Sequence, residues 1–303
     1  MTTTGAKKLR GRVIRIRLTL VVVGIVCAAS LWFALSPARN DTLARVRRAG
    51  VLRIGYAIEA PYIFLDAEGK LTGLECETGK VVAGRLAIPR IEWVQTEFGS
   101  LISDLEADRF DIIVAGMFIT PERARRVIFS EPTFHVRQAL LVQAGNPYQL
   151  HSYTDVLQHP EVKIAALRGA IEEDLLSNLG VPESQRISVP DVLTGRVAVE
   201  IGLAGSLALS LPTIRRMVQQ GAMGNTEISE PFAQPAPVGG YLNGFGAVAF
   251  RKSDDALRQA WNRELARFIG SVEHRVLLFQ AGFSDDDLPG TVTTDMILSM
   301  DTP

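Results

Sequence analysis

Between Gly116 and Ala124 the chain reads Gly116-Met117-Phe118-Ile119-Thr120-Pro121-Glu122-Arg123-Ala124. An aromatic ring, a hydroxyl, backbone amides and a guanidinium thus lie within about two helical turns of chain. Thr120 suits the cap of a helix whose first residue is Pro121, because Pro in that position gives up only an amide without an intrahelical acceptor. Amides at a helix start favour a carboxylate, and Arg123 can hold one through two parallel N–H bonds. The chemistry this spacing suits is capture of a small molecule that bears a carboxylate. Arg125 and Arg126 fall elsewhere on the helix surface and read as solvated.

The elements that must position these residues alternate along the chain. The sequence predicts a short helix from Asn40 or Asp41 to Ala49, ended by Gly50, and a strand from Val51 to Ala57. Tyr56-Ala57-Ile58-Glu59-Ala60-Pro61-Tyr62 is the loop after it, and Asp66-Ala67-Glu68-Gly69 reads as a turn. Helix, strand and helix are expected from Leu74 to Leu86, Ile91 to Thr96 and Leu101 to Asp108, and the run from Asp111 to Ala115 is a strand leading into Gly116. A second set has a strand from Lys163 to Leu167, a turn at Gly169, a helix from Ile171 to Leu179, a strand from Arg186 to Val189 and a helix near Leu211 to Gln220. Ala247 to Phe250 returns as a strand, and Asp255 to Ile269 is an amphipathic helix with Leu257, Trp261, Leu265 and Ile269 on one face. This alternation describes an α/β fold with mostly parallel sheets, whose ligands bind beyond the carboxyl ends of the strands. Glu59, Tyr62, Phe98, Phe118 and Arg123 all fall at such ends.

With 303 residues, 47% of them hydrophobic, the chain can bury a substantial core and has room for two domains. The first 38 residues hold six of the 32 Lys and Arg and no acid, so the remainder carries 26 basic against 33 acidic side chains, a net of −7. That balance argues against nucleic acid as a partner, since phosphate neutralisation needs a basic face. Behind the basic cluster, Leu18 to Leu35 is an 18-residue run without charge. As a helix it would span about 27 Å, close to the roughly 30 Å of a hydrocarbon core. The positive flank should stay cytoplasmic and send the remainder across the membrane. Residues 1–38 are therefore a signal peptide or a membrane anchor: Ser36-Pro37-Ala38 offers small residues for cleavage, while the apolar run exceeds the usual signal-peptide length. Of the two cysteines, Cys27 sits in the apolar run, which leaves Cys76 without an intramolecular partner, so no disulfide is expected.

The Gly116–Ala124 stretch and its surroundings resemble the solute-binding proteins of amino-acid-type ATP-binding-cassette (ABC) importers, in particular the ectoine/hydroxyectoine binders. The parallels run in order: Thr42-Leu43 through Gly50-Val51-Leu52-Arg53-Ile54-Gly55, Glu59-Ala60-Pro61-Tyr62, Gly69-Lys70-Leu71-Thr72-Gly73 and Phe98-Gly99-Ser100-Leu101. Phe129-Ser130-Glu131-Pro132, Phe250-Arg251-Lys252 and Gly282-Phe283-Ser284 follow. The resemblance covers roughly residues 40 to 298 and implies a type II periplasmic-binding-protein fold, two α/β lobes joined by two hinge strands. It implies that Ala139–Gln143 and Phe245–Phe250 cross as the paired hinge strands, with lobe one at 40–142 plus 247–298 and lobe two at 143–246.

The same resemblance implies an aromatic cage of Tyr62, Phe98 and Phe118 around a ligand cation, which such rings attract. Glu59 would accept hydrogen bonds from an amidinium or ammonium, and Thr120 and Arg123 would meet a carboxylate. In the second lobe, relatives usually carry Gly-Thr at the turn where hydroxyl and amide meet the ligand carboxylate; here it is Gly169-Ala170, without the hydroxyl. Glu172 and Glu173 follow, which oppose an anion though they suit the helix dipole. The family's Gly-Arg-Val-Asp-Ala pattern becomes Gly195-Arg196-Val197-Ala198-Val199, so an acid has moved or vanished, and Glu200 is a candidate substitute.

The resemblance, together with the export segment, implies a non-enzymatic, extracytoplasmic, monomeric receptor for a small zwitterionic solute, ectoine-like or an amino acid, that delivers it to an ABC permease by hinge closure. Neither cofactor nor metal is expected: His135, His151, His159 and His274 are scattered without ligand spacing. Gly239-Gly240-Tyr241-Leu242-Asn243-Gly244 matches no phosphate-binding fingerprint and reads as a bent approach to the hinge. Two other readings stay open. One is an enzyme on the same fold similar to the periplasmic cyclohexadienyl dehydratases, with Glu172 or Glu173 protonating a departing hydroxyl; the other is a membrane-tethered sensor.

Overall fold

The protein is represented by a computed structural model that describes residues 42–220, 225–236 and 244–299. The Leu18–Leu35 run, Cys27 and most of the glycine-rich segment lie outside the described residues. Among the described residues no helix is long and apolar enough to cross a membrane.

Two five-stranded sheets organise the chain. In the first, the strand order is Arg90–Gln95, Val51–Tyr56, Ile112–Ile113, Ala249–Arg251 and Val127–Phe129. The first three are parallel, with Ile54 opposite Trp93 on one side and Ile112 on the other. Ala249–Arg251 runs antiparallel to both its neighbours. The second sheet has the order Arg186–Val189, Ile164–Leu167, Ser206–Ser210, Gln138–Gln143 and Thr226–Ile228. Its first three strands are parallel, and Gln138–Gln143 is antiparallel to the strands on either side.

Burial explains the choice of strands. Leu52 and Ile54 are fully buried beneath the helix Asp255–Phe268, whose Leu257, Trp261, Leu265 and Phe268 form the apolar seam. Those spacings of three and four residues place one side chain per turn on the sheet. Phe268 takes the last seam position in place of the expected Ile269, because the helix ends at Phe268. Cys76 packs in the same cluster as a small apolar side chain.

The chain passes between the sheets twice. The expected pairing of Ala139–Gln143 with Phe245–Phe250 does not form: Gln138–Gln143 is saturated by its two partners inside the second sheet. The crossing segments instead meet one turn earlier, where Phe134–His135 pairs antiparallel with Phe245–Gly246. The His135 and Phe245 rings stack there at 4.1 Å between centroids.

Candidate functional site

Every loop that reaches the site follows the carboxyl end of a parallel strand, the place where an open α/β sheet offers its crevice. Glu59 and Tyr62 follow Val51–Tyr56, Phe98 follows Arg90–Gln95, and Gly116 and Phe118 follow Ile112–Ile113. From the second sheet come Ala170, Ile171 and Glu172 after Ile164–Leu167, with Leu209 and Ser210 ending Ser206–Ser210. Together these residues and Arg123 line one cavity of about 300 Å³, open solvent at its mouth included.

The Thr120 cap forms as the sequence suggests. Its Oγ1 accepts from the Arg123 backbone N–H at 3.2 Å, with Pro121 opening the helix Pro121–Ala124. Within that fixed turn the Arg123 guanidinium donates through Nη1 to Phe118 O at 2.7 Å and through Nη2 to Gly169 O at 2.9 Å. Its central carbon lies 5.6 Å from the centre of the Phe98 ring, a cation–π arrangement. Arg123 thus ties the two sides of the cleft together. Thr120 is buried behind it and does not line the cavity, and Gly169 contributes its carbonyl at the edge.

Glycine is needed where the two sides touch. Gly169 has φ +73°, and a Cβ there would fall 2.7 Å from Gly99 Cα. At Gly116, φ +64°, a Cβ would meet the Tyr62 ring at 2.9 Å. Backbone therefore packs directly on backbone at one edge and on an aromatic face at the other. Outside the edge, Arg168 and Glu97 form a solvent-exposed ion pair at 3.6 Å.

Glu59 and Tyr62 share a tight loop in which the amides of Tyr62 and Ile63 both donate to Glu59 O, at 2.9 and 3.0 Å. Their side chains are joined across the cleft. Tyr62 Oη donates to Ser210 Oγ at 3.0 Å, Ser210 Oγ lies 3.0 Å from Thr213 Oγ1, and Thr213 Oγ1 donates to Glu59 Oε1 at 2.8 Å. Each hydroxyl has one hydrogen, so the bond between Ser210 and Thr213 must run from Ser210 to Thr213. Burial pushes the Glu59 carboxyl up to about 7, and the Thr213 hydrogen bond only partly opposes that.

Of the three expected cage rings, all line the cavity, but they do so differently. The Tyr62 ring lies 4.9 Å from Phe134 and 5.6 Å from Phe283, and Phe118 meets Phe134 edge-on at 6.0 Å. All three are wall and core at once, since Phe98 is buried in the core cluster with Leu101 and Leu105, and Phe98 also faces Arg123. No periodicity signal marks Phe134 or Phe283 as support for Tyr62 and Phe118.

The second side departs from the sequence reading in three ways. The Gly169 amide donates to Glu173 Oε2 at 2.8 Å, so the turn amide already has an acceptor. Glu200 sits in an ion pair with Arg196 at 2.7 Å, away from the cavity, and does not replace the missing acid there. Glu172 does face inward: it is 3% exposed, and burial, helped by the Glu59 charge, pushes its carboxyl up to about 8 against its own backbone amide and Arg123. Ser210, Leu209 and Ile171 were not singled out in the sequence, where they belong to apolar runs. Among the described residues no group of three or more His, Cys, Asp or Glu side chains is placed to hold a metal ion. The cavity is lined by one guanidinium, two carboxyls that burial raises to about 7 and about 8, hydroxyls and aromatic faces.

Known proteins carry the same architecture. Residues 52–277 match the model of the bacterial extracellular solute-binding proteins, family 3. A probable amino-acid ABC transporter periplasmic-binding protein of Sinorhizobium fredii is 34% identical over 269 residues, 88% of each chain. The crystal structure of EhuB in complex with hydroxyectoine superposes with a TM-score of 0.78 at 31% identity, covering 86% of this chain and 98% of that one. The ancestral amino acid-binding protein AncCDT-1, a precursor of cyclohexadienyl dehydratase, superposes with a TM-score of 0.68 at 26% identity, covering 79% and 99%. The chain belongs to the bacterial extracellular solute-binding proteins, family 3.

Proposed function

We propose that this protein captures a small zwitterionic solute, ectoine-like or an amino acid, and delivers it as a monomer to an ABC permease. The observation that carries this reading is the placement of Arg123 and Glu59 on one small cavity walled by Tyr62, Phe98 and Phe118. Arg123 would take the carboxylate and Glu59, with the rings, the cation. The two halves, each built on one sheet, would close over the solute by a hinge at the crossing segments. The relative bound to hydroxyectoine supports an ectoine-like ligand, and the Sinorhizobium relative an amino acid. Isothermal calorimetry against hydroxyectoine, ectoine, betaine and a set of amino acids tests the proposal; absence of binding across that panel overturns it.

A second reading, as an enzyme, draws on Glu172. A buried carboxyl pushed up to about 8 retains a proton near neutrality and is suited to act as a general acid. Likeness to a precursor of cyclohexadienyl dehydratase keeps that reading in view. Turnover of prephenate or arogenate by the purified protein would support it, and no turnover would end it.

A further inference from the structure

Glu172 lines the same cavity, and Arg123 is the cation that acts on it as well. Among the described residues lining the cavity, Arg123 is the one cation, and Glu59 and Glu172 are two acids. A net-neutral zwitterion that sets its carboxylate on Arg123 and its cation on Glu59 balances those two charges and leaves nothing for a second buried anion. An uncompensated buried carboxylate is expensive, so Glu172 is better accommodated as a neutral acid.

Its surroundings point the same way. Glu172 comes three residues after Gly169, whose carbonyl holds Arg123 Nη2 at 2.9 Å, so its side chain starts beside the end of the cavity where the guanidinium sits. Behind it, Tyr153 Oη donates to Gln138 Oε1 at 3.0 Å, which fixes the Gln138 amide, and among the described residues Gln138 Nε2 is buried with no hydrogen-bond acceptor in place. Gln138 Nε2 can therefore serve one carboxyl oxygen of Glu172 and leave the other, with its hydrogen, toward the cavity. The titratable groups that face Glu172 are Glu59, Tyr62, Arg123 and Tyr153. Both tyrosines are themselves raised well above their ordinary range by burial and stay neutral, which leaves Glu59 opposing ionisation and Arg123 favouring it.

We propose that Glu172 is a specificity-determining residue of this cleft, a neutral carboxylic acid that donates a hydrogen bond to the anionic end of a net-neutral solute. The proposal rests on the cleft being a zwitterion site. Its role is distinct from the one proposed for Glu59, which would take the cation of the solute. A carboxyl used in this way is selective for a solute whose carboxylate has a second oxygen, or a nearby hydroxyl, within reach of the O–H.

Calorimetric titration with hydroxyectoine as the probe, on the wild type, Glu172→Gln and Glu172→Ala, tests it. The Gln variant keeps a neutral donor and should bind within about threefold of wild type at pH 7, while Ala should bind at least about tenfold more weakly. Wild-type affinity should decline above about pH 8 as Glu172 ionises, and the Gln variant should lack that decline. A Gln variant as weak as Ala, with the melting temperature of wild type, would mean the carboxylate binds as the anion and overturns the proposal. Equal affinity in all three proteins overturns it as well, because the acid then does not touch the solute. If the wild type itself binds neither hydroxyectoine nor any other net-neutral zwitterion, the zwitterion reading falls first and this one with it.

Discussion

The Thr213 hydroxyl donates to the Glu59 carboxyl at 2.8 Å across 154 positions of sequence. It is the last bond in a chain that starts at Tyr62 and passes through Ser210, so two residues of the first side are joined through two of the second. Removing this link should loosen closure more than folding. Thr213→Val is expected to weaken solute binding about threefold to tenfold, the worth of one hydrogen bond. Thermal melting of the ligand-free variant should change little, and calorimetry with the melting curve measures both.

Arg123 makes a sharper case. Arg123→Ala removes the guanidinium from any bound carboxylate and also strips Phe118 O and Gly169 O of their donors. Affinity should fall by well over about tenfold, with charge-assisted bonds worth about 1.5–3 kcal/mol each. Arg123→Lys should recover only part, because an ammonium cannot serve both carbonyls and a carboxylate in one plane. Unchanged affinity in both variants would remove Arg123 from the site.

The aromatic walls divide by their support. Phe98→Leu should cost binding on the order of 0.5–2 kcal/mol through the lost ring face, with a smaller loss of melting temperature than at Tyr62 because Leu keeps most of its apolar contact with the core. Tyr62→Leu should do both, since it also leaves a gap against Phe134 and Phe283 and breaks the bond to Ser210. Paired binding and melting measurements separate the two patterns; equal melting losses would make Phe98 an ordinary core residue.

Much of this was legible in the sequence because local signals and function coincide. Thr120-Pro121 is a cap signal that needs no tertiary context, and Val51–Tyr56 or Asp255–Phe268 announce themselves by pattern. Ser206–Ser210 did not, although it is the middle strand of the second sheet, because Leu207-Ala208-Leu209 is a short apolar run without alternation. The helices Val192–Glu200 and Val272–Gln280 were missed for a related reason: several apolar positions, Leu193, Val197, Val272 and Phe279, are exposed and blur the amphipathic stripe. Glu172 was seen, but that Glu173 rather than Glu172 is held at the Gly169 amide is a local choice between two adjacent acids that no pattern in the sequence marks.

A stability prediction comes from Glu75. It is fully buried and neither carboxyl oxygen has a hydrogen-bond partner. Burial pushes it up to about 7, opposed in part by the nearby Thr133 hydroxyl. Because the folded value lies above the unfolded one, the stabilisation is complete below about pH 4.5 and is lost as pH rises through about 7. Glu59 and Glu172 act with the same sign. The ligand-free protein should therefore melt at lower temperature at pH 8 than at pH 5. Glu75→Gln should recover on the order of 1–3 kcal/mol of the loss at pH 8 and under about 1 kcal/mol at pH 5. A melting temperature independent of pH over that window would contradict this.

The most direct measurement of the zwitterion site compares two ligands on the unaltered protein. Hydroxyectoine and a carboxylate of similar shape with an uncharged ring are titrated calorimetrically at pH 7.5. With Arg123 holding the carboxylate and Glu59 and the rings holding the cation, the zwitterion should bind at least about tenfold more tightly, the loss of one charge-assisted bond and its cation–π contacts. Equal affinities would mean that Arg123 selects alone, and the account of Glu59, Tyr62, Phe98 and Phe118 as a cation site would be wrong.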